Sequence, residues 1–418
     1  MQKQEMYSTE EKPEEIVLVA VQLQDGDDTE QSLKELEELG QTAGAVTVGK
    51  IVQNRERMDS ATYIGKGKIE EVRELLCETG ATTVVCDDEL SPAQMANLQD
   101  ALDVKVIDRT IMILDIFAAR ASTSEGKLQV ELAQLRYNAS RLVGLRRSLS
   151  RLGGGIGTRG PGEKKLEMDR RLIKERIHQL KRELDQVVLN RTTNRKKRER
   201  NAVPVVAIVG YTNAGKSTLL NRLTDAGVLE EDKLFATLDP TTREITLQSG
   251  QRVLLTDTVG FIRKLPHHLI QAFRSTLEEA KYADIILHVV DCSNVDYEAH
   301  MHIVYETLRR LGVEDKKIIT AFNKQDKLVE EVELKDFSAD KTLRISAKHR
   351  QGLDVLMDTI EEMLREEKIH MEKVFDYSEA GKIQQIRTTG QLLREEYTPE
   401  GILVEAYVPK DVYLRLCQ

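Results

Sequence analysis

Gly210-Tyr211-Thr212-Asn213-Ala214-Gly215-Lys216-Ser217, followed by Thr218, decides the fold. The stretch fits G-x-x-x-x-G-K-[ST]. Val205-Val206-Ala207-Ile208-Val209 precedes it, an apolar β-branched run that predicts a buried parallel strand. Ser217 to Leu223 follows with the spacing of a helix. Strand, loop and helix in that order are what a phosphate-binding loop needs. Its glycines turn backbone N–H groups onto phosphate oxygens, and the helix N-terminus adds positive dipole. Lys216 is placed to reach the β- and γ-phosphates, and the Ser217 hydroxyl to ligate Mg²⁺.

Working outward, the next motifs arrive in an informative order. Leu234-Phe235-Ala236-Thr237-Leu238-Asp239-Pro240-Thr241-Thr242-Arg243 lies ahead of an expected strand at 244–248. A threonine here can ligate Mg²⁺ and sense the γ-phosphate, and Thr237, Thr241 and Thr242 all qualify. Val253 to Asp257 predicts a strand ending in D-x-x-G, Asp257-Thr258-Val259-Gly260. Asp257 is expected to reach Mg²⁺ through water, and the Gly260 amide to meet the γ-phosphate. Strands at 284–291 and 318–322 follow, the second ending in Asn323-Lys324-Gln325-Asp326. An Asp there accepts both N1–H and N2–H₂ of guanine, a donor pair adenine lacks. Ser346-Ala347-Lys348 closes the set, with backbone placed to meet guanine O6. Together they specify a GTP- and GDP-binding domain. Phe261 stands after D-x-x-G, where many GTPases carry the water-orienting Gln. Hydrolysis is therefore expected to be slow alone and to need a group from a partner or an ion. Asn213 is the candidate ligand for a K⁺ ion acting in that place. His267 and His268, which follow the mobile loop, are expected to be exposed switch residues and not catalysts.

The 418 residues carry a net charge of −9, unevenly spread. Residues 141–200 hold 19 Lys and Arg against 7 Asp and Glu, a surplus of 12, so the remainder carries −21. A concentrated basic segment on an acidic chain points to a localised polyanion contact. Leu128, Leu132, Leu135, Ala139 and Leu142, and later Leu166, Ile173, Ile177, Leu180, Leu184 and Val187, form two helical seams. They predict one long antiparallel hairpin with helices of about 25 residues, roughly 40 Å each. Between them Arg151 to Lys165 carries six glycines. Gly154 and Gly155 allow close backbone approach, and Arg151 and Arg159 supply phosphate contacts. A basic, glycine-rich tip without aromatics suits structured RNA, read through phosphates, backbone and shape. Arg191 to Arg200 is expected to be an interdomain connector.

The N-terminal portion alternates strands (16–21, 45–52, 82–86, 104–107) with helices (29–39, 67–79 and one opened by Ser91 and Pro92). Ile64-Gly65-Lys66-Gly67-Lys68 is expected to be a turn or basic surface loop. At the other end, an amphipathic helix at 352–366 closes the nucleotide domain, and strands at 371–376 and 401–408 with a helix from about Ser378 form an appendage. The fold class expected is α/β multidomain. An α/β subdomain (1–108) is followed by a helical hairpin (109–200, tip 152–162), a P-loop GTPase domain (201–367) and a small α+β domain (368–418). No apolar run approaches the ~20 residues that span a membrane. Four scattered cysteines without C-x-x-C suit reduced thiols. The expectation is a cytoplasmic monomer without integral membrane contact, peripheral association being the most that is foreseen.

The chain closely resembles the HflX family of ribosome-associated GTPases. The resemblance rests on Tyr63 to Lys68, Leu128 to Leu135, Gly153 to Glu163, Gly210 to Ser217, Phe235 to Asp239 and Asp257 to Gly260. It covers residues from about 15 to 370. It implies that the tip approaches the peptidyl-transferase region of the large ribosomal subunit, and that the ribosome stimulates hydrolysis. It further implies splitting of stalled or idle ribosomes under stress, heat in particular. It also selects Thr237 as the second Mg²⁺ ligand. A signalling or scaffold GTPase, its hairpin binding a protein or an anionic membrane, is the competing reading; the glycine-rich tip favours RNA.

Overall fold

In the computed structural model, residues 13–23, 28–149, 161–200, 203–224, 234–236, 238–266, 269, 279–313, 315–328, 333–366 and 368–416 are described. They fall into two compact units. One comprises residues up to Ala119 with Val130–Lys181; the other comprises Arg120–Gln129 with Arg182–Gln418.

The first unit is built on β1 (Glu15–Gln22), β2 (Val46–Asn54), β3 (Thr83–Cys86) and β4 (Lys105–Asp108), all parallel in the order β2-β1-β3-β4. Ile16 to Val21 are buried throughout, as a central strand covered on both faces requires. Helices α1 (Thr29–Thr42), α2 (Lys66–Thr79), α3 (Pro92–Leu102) and α4 (Arg109–Arg120) connect and follow the strands. Ser91 starts α3 through a capping box: its hydroxyl accepts from Gln94 N, and its amide donates to Gln94 Oε1. The Gly65 amide that heads α2 donates to Gln53 Oε1, and Lys68 pairs with Glu71. Local protein groups thus occupy this basic turn.

Two long helices follow, α5 (Ser124–Leu149) and α6 (Pro161–Arg200). The buried Asp108 carboxylate, at the end of β4, fixes α5 by accepting from Tyr137 Oη at 2.7 Å and Arg141 Nη2 at 2.8 Å. Arg176 of α6 grips Glu131 of α5 with two bonds, 2.7 and 2.9 Å. The second helix runs 40 residues, not the expected 25 or so. Residues 191–200, expected as a connector, continue it because they are rich in the good helix formers Lys, Arg and Glu. The first break is Pro204, which disfavours helix at the residue before it.

The second unit carries a six-stranded sheet in the order β10-β9-β8-β5-β7-β6. Its strands are β5 (Val205–Gly210), β6 (Thr241–Thr246), β7 (Arg252–Asp257), β8 (Ile285–Asp291), β9 (Lys317–Asn323) and β10 (Lys341–Arg344). All pair in parallel except β6, which runs antiparallel to β7 at the edge and starts three residues before the expected strand. Helices α7 (Lys216–Thr224), α8 (Tyr297–Arg310) and α9 (Leu353–Arg365) are among those that accompany it. Leu353, Leu356, Ile360, Met363 and Leu364 of α9 pack into the core with Val206, Ile208, Leu219, Leu287 and Ile319. This core holds the strand ends in register, and the strand ends carry the motifs.

The remaining sheet has the order β11-β13-β12, antiparallel, from β11 (Ile369–Phe375), β12 (Gln391–Thr398) and β13 (Gly401–Val408), with helices α10 (Ala380–Thr389) and α11 (Lys410–Leu416). The sequence reading missed β12 and α11. β12 is an edge strand with three consecutive charged residues, Arg394 to Glu396, which hide its alternation.

Candidate nucleotide site

Both motif glycines of the loop between β5 and α7 are forced by their surroundings. A Cβ on Gly210 would overlap the Val289 carbonyl oxygen of the neighbouring β8. Gly215 has φ +95°, and a Cβ there would overlap Asn323 Nδ2. Asn213 also takes a left-handed conformation, φ +59°, which Asn tolerates better than most residues. Lys216 is buried at the start of α7, its Nζ donating to the Tyr211 carbonyl at 2.7 Å. Burial pushes its ammonium down to about 8, although Asp257 pulls the other way.

At the end of β7, Asp257 Oδ2 accepts from Ser217 Oγ at 2.9 Å. Two hard oxygen donors so close fit Mg²⁺, which favours carboxylate and hydroxyl ligands. The Thr258 hydroxyl donates to the Ile208 carbonyl. Gly260 lies against the phosphate loop: a Cβ there would sit 2.8 Å from Thr212 Cγ2 and 3.0 Å from Lys216 Nζ. Phe261 forms a two-bond bridge with the same loop. Its carbonyl accepts from Thr212 N at 2.8 Å, and its amide donates to the Gly210 carbonyl at 3.1 Å. Its side chain is 2% exposed, so the position after D-x-x-G faces inward.

Asn323 joins two loops. Its Nδ2 donates to the Ala214 carbonyl and its Oδ1 accepts from Ala347 N, both at 2.9 Å. Ser346 Oγ donates to Asp326 Oδ1 at 2.5 Å, and His349 Nε2 lies 3.7 Å from Asp326 Oδ2. The Ser346 bond, chiefly, holds the Asp326 carboxyl below the usual range. Lys324 pairs with Asp291 at 2.7 Å. These residues frame a cavity of about 350 Å³ lined by Asn213, Gly215, Thr218, Arg222, Asn323, Lys324, Asp326, Lys327, Ala347 and Lys348.

The structure therefore brings the phosphate loop, Asp257 to Gly260, Asn323 to Asp326 and Ser346 to Lys348 to one end of the sheet. Phe235 and Leu238 are buried, and the Asp239 carboxylate is engaged by Ser122 and Thr123. Thr237, Arg151, Gly154, Gly155, Arg159, His267 and His268 lie outside the described residues. Sequence reasoning missed Arg222 and Lys327. Arg222 is four residues from Thr218, so the two share a helix face, and that spacing was a usable signal. It also missed His300, which stacks on Tyr211 with ring centroids 3.7 Å apart and planes within 5°. The Tyr211 hydroxyl accepts from Arg263 N at 2.8 Å. Burial, then Arg263, pushes His300 down to about 4.

A mainly parallel sheet that gathers these motifs at one end defines a P-loop GTPase. Residues 205–324 match the family described as "50S ribosome-binding GTPase". Residues 30–118 and 120–198 match "GTP-binding GTPase N-terminal" and "GTP-binding GTPase Middle Region". GTPase HflX of Lacrimispora saccharolytica is 64% identical over 99% of this chain and 97% of its own. GTPase HflX of Escherichia coli is 45% identical over 77% of this chain and 76% of its own. A crystal structure of SsGBP with GDP is similar over 84% of this chain and 98% of that one, at 25% identity and a TM-score of 0.48. The chain belongs to the HflX family of GTPases.

Proposed function

We propose that this GTPase binds the large ribosomal subunit, splits stalled or idle ribosomes under stress, and hydrolyses GTP when the ribosome stimulates it. The observation that carries the reading is Phe261. The position that would orient the attacking water is turned into the core, so the missing group has to come from a partner or an ion. The match of the same domain to a family described as ribosome-binding supports a ribosomal partner. The basic, glycine-rich sequence between α5 and α6 supports contact with ribosomal RNA near the peptidyl-transferase region through Arg151, Gly154, Gly155 and Arg159.

In this reading, Gly210 to Thr218 cradle the phosphates, Lys216 neutralises charge that develops on them, and Asp326 reads guanine with backbone from Ser346 to Lys348. Ser217 and Thr237 would ligate Mg²⁺, and Asp257 would hold it through water. Asn213, which lines the cavity, would ligate K⁺. The ion would offset transition-state charge. Among the described residues no helix is long and apolar enough to cross a membrane, and the protein is proposed to act as a monomer in the cytoplasm.

The test is GTP turnover with and without purified large subunits, in KCl and then NaCl. Subunit stimulation of at least tenfold is expected, roughly 1.4 kcal/mol in the barrier. Turnover that ignores the subunit, with no binding of the GTP form, would remove the ribosome from the reading. Replacing Arg151 and Arg159 with Ala should weaken subunit binding while GTP affinity stays constant.

A further inference from the structure

Tyr211 is engaged at both ends. Its carbonyl accepts from Lys216 Nζ at 2.7 Å, and its hydroxyl accepts from Arg263 N at 2.8 Å. The second bond is a third tie between the segment after D-x-x-G and the phosphate loop, beside the two backbone bonds of Phe261 with Gly210 and Thr212. Backbone bonds form whatever the side chains are, but this one needs the phenol ring at one angle. His300 of α8 fixes that angle. Its imidazole lies flat on the Tyr211 ring, centroids 3.7 Å apart and planes within 5°. Aromatic pairs left to themselves prefer offset or edge-on arrangements with centroids about 4.5–7 Å apart, so the packing of α8 presses these two together. His300 shares a helix face with Val304, four residues on and fully buried, so the contacts that seat α8 also seat the imidazole. Burial, then Arg263, keeps the imidazole uncharged at neutral pH, and it meets the phenol as a flat ring without a charge to solvate.

We propose that His300 is a positioning residue for GTP, acting through the Tyr211 ring to hold Gly260 to Arg263 against the phosphate loop. This rests on the GTP-binding reading and does not involve the ribosome. Gly260 already lies close: a Cβ there would sit 2.9 Å from Thr212 Cα, a backbone atom that cannot swing aside. Phe261 and Arg263 are tied to the same loop within the next three residues, so the chain around Gly260 is held from the loop and from its own C-terminal side. In the GTP-binding reading the Gly260 amide meets the γ-phosphate, which GDP lacks. A brace on this segment therefore favours GTP and is nearly neutral toward GDP. Its contribution is preorganisation: a donor fixed before the nucleotide arrives has no ordering cost left on binding. His300 touches neither nucleotide in this role, and neither does the Tyr211 hydroxyl. Both act through the position of a backbone amide.

The experiment is the affinity of the full chain for GDP and for a non-hydrolysable GTP analogue, in the wild type and three variants. Tyr211→Phe keeps the stacked ring and removes only the hydroxyl. The ratio of analogue to GDP affinity should fall roughly two- to tenfold, the worth of one hydrogen bond. His300→Ala keeps the hydroxyl and frees the ring, and should lower the ratio in the same direction by at least about twofold. His300→Phe restores a flat ring without an imidazole and should return the ratio to the wild-type value. A role in folding alone would lower both affinities together and leave the ratio where it was. An unchanged ratio in Tyr211→Phe would overturn the proposal, and so would a ratio in His300→Phe as low as in His300→Ala. Failure of the GTP reading would look different: neither nucleotide would saturate the wild type.

Discussion

Phe261→Gln is the substitution that restores the residue many GTPases use to orient water, and the geometry says it will not restore the function. The backbone bridge of Phe261 to Gly210 and Thr212 involves no side-chain atom and survives the change. That bridge keeps the side chain where it is now, 2% exposed. Burying Phe contributes about 1.5–3 kcal/mol, and a buried amide without partners costs about 1–3 kcal/mol. The variant is thus destabilised by about 2.5–6 kcal/mol, a large part of what a typical domain has. Urea unfolding followed by circular dichroism reads that loss as a lower midpoint at unchanged slope. GTP turnover without any partner should stay within about threefold of the wild type, less than 1 kcal/mol in the barrier. A variant as stable as the wild type that turns over GTP ten times faster would refute the reasoning. It would show that position 261 reaches the phosphate.

Asp326→Asn would turn one of the two oxygens proposed to accept from guanine into an N–H donor and strip the charge from the other; at about 1.5–3 kcal/mol per charge-assisted bond, GTP affinity should fall by roughly 10²–10⁴. Xanthosine triphosphate, with an acceptor where guanine has its amino group, should bind the variant better than GTP, as competition against a labelled nucleotide would show. Lys216 gives a pH signature. Its folded value, about 8, lies below the ordinary 10.5, so the folded chain releases this proton first and gains stability from it as pH rises from about 8 to 10.5. Phosphates restore the charge, so GDP binding at about pH 8.5 should take up most of one proton, and at about pH 6.5 almost none. Calorimetry in buffers of different ionisation enthalpy measures the uptake, and a value near zero at the higher pH would deny Lys216 its phosphate contact.

What was legible in the sequence was whatever a short window determines. Ile16 to Val21 is apolar at every position and could only be a central strand. Ser91, Pro92 and Gln94 write a helix start into four residues. The phosphate loop is legible for the same reason, since its two glycines answer to a strand and a side chain that the fold always brings there. What was not legible joins distant residues or lacks contrast. Asp239 and Ser122 are 117 positions apart, and nothing in Leu-Asp-Pro says that a carboxylate will bind the segment ahead of a helix so far away. His300 reaches Tyr211 from a helix with ordinary amphipathic spacing. Residues 191–200 look like a polar connector because solvated charge and a long solvated helix have the same composition.

Asn323, which lines the cavity, shows that a motif residue can do more than its motif suggests. The sequence reading of N-K-x-D as a base-recognition motif puts Asn323 among the expected nucleotide contacts. Its amide nitrogen donates to the Ala214 carbonyl in the phosphate loop, and its amide oxygen accepts from Ala347 N in the loop after β10. The side chain is 2% exposed, and each polar end makes a bond inside the protein. It links the phosphate loop after β5 to the loop after β10, from a third strand between them in the sheet order. Gly215 has to be glycine partly to let it pass. In the proposed reading, that link would hold two half-sites at the right separation before the nucleotide arrives, which lowers the ordering cost of binding. Asp326, three residues on, lines the same cavity with one oxygen held by Ser346, and in the proposed reading it would face the base.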